Sequence, residues 1–234
     1  MNIAIILAGG TGTRVGYNKP KQFIIVEGKP IIAYTIEIYQ QHPEIDAIEI
    51  VIHKDYKNYI EEIISKYKYN KVKWIVNGGN SFQESVINGL NGLKNYAKDK
   101  DVVLIHYGAS PFTSQDIISD NLKVCEEKGN ATSACQSYLL TGSNDGDVTK
   151  KWLDRDKILL LNCPHSFRYG YIQDVYKRAE EKGLLEKIEP HTTSLIYALG
   201  EQIYISKGNQ TNIKITTKED IDIFRGYVLS KKIY

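Results

Sequence analysis

The stretch Ile3-Ala4-Ile5-Ile6-Leu7-Ala8-Gly9-Gly10-Thr11-Gly12-Thr13-Arg14, followed by Pro20-Lys21-Gln22-Phe23, decides the fold. Its apolar run, closed by glycine, has the length and composition of a strand buried on both faces. The glycines then let the backbone turn tightly and aim its N–H groups at an anion. A helix starting at the end of the loop would add the positive end of its dipole. Arg14 can grip phosphate oxygens through a planar fork, and Lys21 supplies a mobile point charge. A Walker loop needs Gly-Lys-Ser/Thr at its end, which this stretch lacks. Gly10-Thr11-Gly12-Thr13-Arg14-Val15-Gly16 nearly imitates the dinucleotide pattern G-x-G-x-x-G. Its last glycine comes one place late, and Arg14 stands where a pyrophosphate would meet bare backbone. A tight strand-to-helix connection accounts for the glycines alone; with both cations at this spacing, the stretch reads as a cradle for a mononucleotide triphosphate.

Outward from this stretch the pattern alternates. Strand-like runs occupy residues 3–7, 47–52, 72–76, 102–106, 132–136 and 201–206. Helical periodicity occupies 31–41, 56–66, 82–96, 113–128, 170–182 and 218–230. Such alternation predicts an α/β fold, a mostly parallel sheet covered on both faces. Ligands of open sheets sit beyond the carboxyl ends of the strands, so the Gly9 to Arg14 loop and the residues after Ile105 are expected around one cleft. Residues 137–162 break the alternation, with Gly142 to Asp147 reading as a hairpin tip. No Pro-, Gly- or Ser-rich linker divides the 234 residues, which suits one domain. Thirty Lys and Arg against 28 Asp and Glu leave a net charge of +2 with no basic tract, which argues against nucleic acid as a partner. No apolar run approaches membrane-spanning length and the first residues lack a leader pattern, so a cytoplasmic protein off the membrane is expected. Cys125, Cys135 and Cys163 lack the close pairing of a zinc site and read as reduced thiols.

Residues 7–23, LAGGTGTRVGYNKPKQF, resemble the signature of the cytidylyltransferases that act on methylerythritol 4-phosphate or ribitol 5-phosphate. The resemblance runs along nearly the whole chain. Gly78-Gly79, Ser85-Val86 and Gly89-Leu90 match one segment of the family, and Asn212-Ile213-Lys214-Ile215-Thr216 another. It implies a three-layer, Rossmann-like nucleotidyltransferase fold, with residues 137–162 as an arm that reaches across a homodimer. It implies CTP and a phosphorylated polyol or sugar as partners, with Mg2+ bound mainly through the CTP phosphates. Leu7, Ala8, Gly9, Gly10, Thr11, Gly12, Thr13 and Gly79 would then surround the nucleotide, with Ser85 at the cytosine. Arg14 and Lys21 would be catalytic, stabilising charge on the α-phosphate. Arg155 and Lys214 would hold the acceptor phosphate. On local grounds alone Ser85 also suits a helix's first turn, Arg155 the surface, and the arm an ordinary hairpin. Thr216 and Glu219 read as a capping box. Cys163-Pro164-His165-Ser166-Phe167 stands in the place of a Thr-Pro-Gln-x-Phe turn.

The departures bear on mechanism. Where the family shows His-Asp-x-x-Arg-Pro-Phe, this chain has His106-Tyr107-Gly108-Ala109-Ser110-Pro111-Phe112. Tyr107 and Thr211 replace two acids, Phe82 and Ser110 two arginines, and Pro190-His191-Thr192 an acidic stretch. Metal ligands are therefore unassigned; magnesium needs few protein ligands when phosphates and waters surround it. His106 reads as a packed strand residue, and His165 and His191 as looser candidates for the acceptor pocket. The expected reaction is attack of an acceptor phosphate on the α-phosphorus of CTP, giving a CDP-alcohol and pyrophosphate. The expected acceptor is another small polyol or sugar phosphate, destined for a surface polysaccharide or teichoic-acid-like precursor. The alternatives are methylerythritol 4-phosphate itself, or a nucleotide-binding homologue with weak catalysis.

Overall fold

A computed structural model describes residues 1–10 and 19–233. The chain runs through β1 (Asn2–Ala8), β2 (Ile25–Val26), β3 (Lys29–Pro30), α1 (Ile31–Gln41), β4 (Ala47–Ile52), α2 (Lys57–Tyr67), β5 (Val72–Asn77), α3 (Phe82–Gly92) and β6 (Val102–Tyr107). It continues through α4 (Gln115–Lys128), β7 (Asn130–Gln136), β8 (Thr141–Gly142), β9 (Trp152–Leu153), β10 (Leu159–Arg168), α5 (Tyr169–Glu181), α6 (Thr192–Ala198), β11 (Ile205–Lys207) and α7 (Lys218–Ile233). Among the described residues the main sheet has the order β11-β7-β10-β6-β1-β4-β5. β1 pairs in parallel with β4 and β6, β4 with β5, and β11 with β7, whereas β10 runs antiparallel to both its neighbours. The expected mostly parallel α/β sheet is what forms.

Alternation of side chains along β1 builds both covering layers. Ala4, Ile6 and Ala8 point into a core with α1, α2 and α4, while Ile3 and Ile5 point into a second with α3, α5 and α6. Each of these isoleucines is fully buried, which stabilises by about 1.5–3 kcal/mol per side chain. α7 packs Ile221, Phe224 and Val228 over Ile31 and Phe112, holding the segment that carries Lys214 against the sheet end.

The structure corrects several boundaries. β10 was not expected: Cys163 to Phe167 is its second half, bulged between Asn162 and His165, and no turn. Its apolar and polar residues do not alternate cleanly across that bulge, so the strand period is lost. α6 also escapes the sequence pattern, being only seven residues long. The strand expected at 201–206 is reduced to β11: Tyr204 O accepts from Thr132 N, but its own N–H goes to the side chain of Asn130 instead of to β7 backbone. α3 ends at Gly92 and continues to Tyr96 only as turns. The capping box expected at Thr216 and Glu219 lies one residue on: Asp220 accepts from the N–H groups of Thr216 and Thr217, and Thr217 Oγ1 accepts from Asp220 N. Within residues 137–162, β8 and β9 pair as an antiparallel hairpin, with the Ser143 N–H bonded to Lys151 O at 2.9 Å and that of Asp145 to Val148 O at 3.1 Å, whereas residues 159–162 already belong to β10.

Candidate active site

The carboxyl ends of β1, β4 and β6 meet at one cleft. The N–H of Gly108 donates to Leu7 O, and that of Gly78 to Ile52 O, both at 2.8 Å. These bonds carry the sheet's register one step past the strand ends and bring Leu7, Ala8, Gly9, Gly10, Gly79, Ser85 and Tyr107 around a cavity of about 550 Å³, a size typical of small-ligand sites. Lys21, Gln22, Phe82, His191 and Lys214 complete its wall. Thr11, Gly12, Thr13 and Arg14 lie outside the described residues.

The Gly9-Gly10 side of the cavity is built on backbone. Gln22, almost fully buried, donates its amide hydrogens to Ala8 O at 2.8 Å and Gly10 O at 3.0 Å. Phe23, the next residue, fixes this short helical turn by packing on Tyr56 and Tyr59 at centroid distances of 5.0 and 5.1 Å. Lys21 is thereby carried to the cleft on a turn anchored at its far end. Across the cavity Ser81 caps α3 by accepting from Glu84 N at 3.1 Å, while Glu84 accepts from Asn80 N at 2.7 Å. Gly79 leaves no room for a side chain: a Cβ there would collide with Glu84. The Ser85 hydroxyl donates to Ser81 O at 2.9 Å and accepts from Gly79 N at 3.0 Å, so it joins the glycine segment to the helix. A second lone pair remains for a ligand.

A second cavity of about 370 Å³ adjoins the first and shares Tyr107, Glu189, His191 and Lys214 with it. Its other polar lining comes from Ser110, Asn162, His165, Thr193, Ser194 and Asn212. Asn212 is locked by donating to Cys163 O at 2.6 Å and accepting from Thr113 Oγ1 at 2.7 Å. His106 bonds Tyr39 Oη at 2.7 Å and Ser110 O at 3.0 Å; burial pushes its pKa down to about 4, as befits a packed, neutral residue. Burial, reinforced by the proximity of His106, His191 and Lys214, pushes His165 down to about 3. Lys214 Nζ lies 3.9 Å from the centroid of the Tyr107 ring, whose hydroxyl meets His191 Nδ1 at 2.7 Å. Among the described residues no cluster of three or more His, Cys, Asp or Glu has the arrangement of a metal site.

Of the sequence-derived candidates, Leu7, Ala8, Gly9, Gly10, Gly79, Ser85, Lys21 and Lys214 come together at this cleft. Arg155 does not: it lies exposed on the arm, donating to Tyr138 O at 3.1 Å, and lines neither of these two cavities.

A glycine turn after a central strand, an anchored lysine beside it and a polar second chamber at Lys214 form the frame within which the similarities to known proteins fall. The family described as "IspD: 2-C-methyl-D-erythritol 4-phosphate cytidylyltransferase" matches residues 2–229. The chain belongs to the IspD family. It is therefore a nucleotidyltransferase of the cytidylyltransferase kind. A 2-C-methyl-D-erythritol 4-phosphate cytidylyltransferase of Clostridium acetobutylicum is 41% identical over 224 residues, 94% of each chain. A ribitol-5-phosphate cytidylyltransferase of Lacticaseibacillus paracasei is 32% identical over 234 residues, all of both chains. Among solved structures, the 4-diphosphocytidyl-2C-methyl-D-erythritol synthase of Anaerococcus prevotii superposes with a TM-score of 0.79 at 26% identity, over 98% of both chains. The IspD of Francisella tularensis gives 0.80 at 26% identity, over 96% of this chain and 98% of that one. Against this IspD frame, sequence reading missed the clamping role of Gln22 and the contacts among Tyr107, His191 and Lys214. The first was signalled only by a polar residue inside Pro20-Lys21-Gln22-Phe23. The second joins three distant segments, and the sequence signalled only its separate ends, through the departures at Tyr107 and at Pro190-His191-Thr192.

Proposed function

We propose that the chain transfers CMP from CTP to the phosphate of a small polyol, of the ribitol 5-phosphate class, releasing pyrophosphate. A phosphate oxygen of the acceptor attacks the α-phosphorus of CTP, the bond to the β-phosphate oxygen breaks, and a CDP-polyol forms. The carrying observation is that two cavities meet at Lys214, with Lys21 on the nucleotide wall of the first and mainly hydroxyl and amide side chains lining the second. A nucleotide in the larger cavity and a phosphate at the junction would be neighbours, which is the positioning that phosphoryl transfer requires.

In this reading the Gly9-Gly10 turn cradles phosphates, and Arg14 and Lys21 stabilise charge at the α-phosphate. Leu7, Ala8, Gly79 and Ser85 face the base, and Lys214 holds the acceptor phosphate. Magnesium would enter with CTP, held by phosphate oxygens and water, and would neutralise phosphate charge there; the described residues form no cluster of three or more acids, histidines or cysteines to hold it. Tyr138, Leu139, Leu140 and Trp152 expose an apolar patch on the arm, with Leu140 95% accessible. Such a patch supports a homodimer in which the arm brings Arg155 to the partner's acceptor. The enzyme would work in the cytoplasm, supplying a surface polysaccharide; none of its described helices is long and apolar enough to cross a membrane.

Methylerythritol 4-phosphate is the second reading, favoured by the 41% identical relative named for it. In the second cavity Ser110 and Tyr107 stand in place of a charged pair, and the hydroxyl and amide groups of Ser110, Asn162, Thr193, Ser194 and Asn212, set in an otherwise largely apolar wall, offer hydrogen bonds to the hydroxyls of a polyol, which supports the first reading. Pyrophosphate release from CTP across a panel of polyol, glycerol, methylerythritol and sugar phosphates decides. Highest kcat/KM for ribitol 5-phosphate or a close polyol phosphate is the expected result; highest kcat/KM for methylerythritol 4-phosphate replaces it with the second reading. CTP binding without release for any acceptor makes the chain a weak-catalysis homologue.

A further inference from the structure

We infer that Tyr107 and His191 are a pair of positioning residues that set the Lys214 ammonium for the acceptor's phosphate. The inference rests on the function proposed for the same site, and adds to it residues that no resemblance assigns. Tyr107 ends β6, His191 precedes α6, and Lys214 lies ahead of α7, so three distant segments converge. With Glu189 they are the residues common to both cavities and form the partition between them.

The geometry dictates how each group is held. Lys214 Nζ sits over the face of the Tyr107 ring, 3.9 Å from its centroid, where the ring quadrupole attracts a cation. That attraction is directional, so the tilt of the ring helps decide where the ammonium stands. The tilt is fixed at the far end of the ring by the hydroxyl's 2.7 Å bond to His191 Nδ1. Phe82 and His165 flank the ring with centroids 5.9 and 6.1 Å away.

Proton placement follows from the surroundings. Burial raises the Tyr107 pKa, so the phenol keeps its proton and donates it. Burial and the Lys214 charge lower that of His191, with Glu189 opposing, so the imidazole is neutral and accepts at Nδ1. Its own proton then belongs on Nε2, which faces Glu189 Oε1 at 3.7 Å. The chain of contacts runs Glu189, His191, Tyr107, Lys214, and only its last member reaches the proposed phosphate. Loss of the pair should therefore weaken acceptor binding while sparing CTP binding and the chemical step.

Kinetics with ribitol 5-phosphate and methylerythritol 4-phosphate test this. Tyr107→Phe keeps the ring face and removes the hydroxyl; acceptor KM should rise about tenfold, with kcat at saturating acceptor and KM for CTP within about twofold. His191→Leu should do the same, and the double variant should be no worse than the poorer single one, as expected of coupled residues. His191→Asn, whose side-chain oxygen can accept near the place of Nδ1, should restore most of the acceptor affinity. An unchanged acceptor KM in Tyr107→Phe, a loss confined to kcat, or additive effects in the double variant would overturn the inference.

Two readouts separate this from failure of the proposed reaction. The histidine 15N spectrum should show His191 protonated at Nε2, with its Nδ1 signal moving in Tyr107→Phe; protonation at Nδ1 refutes the pair. If neither acceptor yields pyrophosphate, the reaction is wrong as proposed. The pair is then judged by ribitol 5-phosphate binding in the presence of a CTP analogue with a methylene bridge between the α- and β-phosphorus. About tenfold weaker binding in Tyr107→Phe supports it, and equal binding, or none by the unmodified protein, refutes it.

Discussion

Gln22 reaches back to Ala8: its side-chain amide donates to the Ala8 carbonyl at 2.8 Å from within the core, and its second hydrogen serves Gly10 O at 3.0 Å. One side chain thus fixes the two peptide planes that begin at the Ala8 and Gly10 carbonyls, flanking the one between Gly9 and Gly10, and with them the course of the turn whose N–H groups are proposed to meet phosphate. Gln22→Leu matches the buried volume but leaves two carbonyls without this donor. It should cost about 1–3 kcal/mol for the unsatisfied group. Each kcal/mol corresponds to about 2–4 °C in Tm for a chain of this size. KM for CTP should rise together with the loss of stability. A Gln22→Leu protein that melts like the unmodified one and binds CTP normally would show that the clamp is incidental.

Glu49 sits at the middle of β4, fully buried, and neither carboxyl oxygen has a hydrogen-bond partner among the described residues. Gly89 and Gly92 of α3 leave just enough room: a Cβ at either would lie 3.0 or 2.5 Å from its oxygens. Burial pushes its pKa up to about 8 from an ordinary 4.5, so the folded protein holds a proton that the unfolded chain releases. Between pH 4.5 and about 8 the native state binds more protons, and stability must fall as pH rises through that window. The loss from this residue should be on the order of a few kcal/mol and should level off above it. Chemical unfolding of the unmodified protein and of Glu49→Met at several pH values checks this. The advantage of the Met variant should grow from pH 5 to pH 8; a constant difference would mean that Glu49 is ionised or solvated in the fold.

Much of this was legible in the chain. β1, β4, β6 and α1 follow from apolar runs and 3.6-residue periodicity, because both faces of a parallel strand and one face of a helix must be buried. The Gly9-Gly10 turn and Lys21 were legible because phosphate binding needs few residue types in a short stretch. β10 was hidden by its bulge, and α6 by its brevity. The partition of Tyr107, His191 and Lys214 was hidden for a different reason. No local propensity encodes a contact 84 residues apart, as between Tyr107 and His191. Only the departures at Tyr107 and at Pro190-His191-Thr192 drew attention to both ends of it.

Nucleotide choice is open to a direct test. The segments around Gly9-Gly10, Lys21 and Ser85 that carry the resemblance to cytidylyltransferases surround the larger cavity. CTP with magnesium should therefore raise the melting temperature more than ATP, GTP or UTP does. A ligand at a hundred times its dissociation constant adds about 2.7 kcal/mol to stability. An equal or larger shift with a purine nucleotide would rule out recognition of cytosine by this cavity.

The last prediction concerns Arg155 and Lys21 together. Lys21 belongs to the cleft of its own chain, while Arg155 donates to Tyr138 O on its own arm and lines neither cavity of that cleft. If the arm completes the site of a second copy, each site combines Lys21 of one chain with Arg155 of the other. Lys21→Ala should lower turnover at least about a hundredfold, as removal of one preorganised charge-stabilising group does. Arg155→Ala should act mainly through the acceptor KM. Refolding the two inactive variants together should then regenerate activity, because a hybrid dimer holds one site with both residues intact and one with neither. Random pairing makes about half of the dimers hybrids, so about a quarter of the unmodified activity should return at subsaturating acceptor, against almost none for either variant alone. Recovery no greater than the sum of the separate variants would place Arg155 outside the partner's site and return it to the role of a surface residue on the arm.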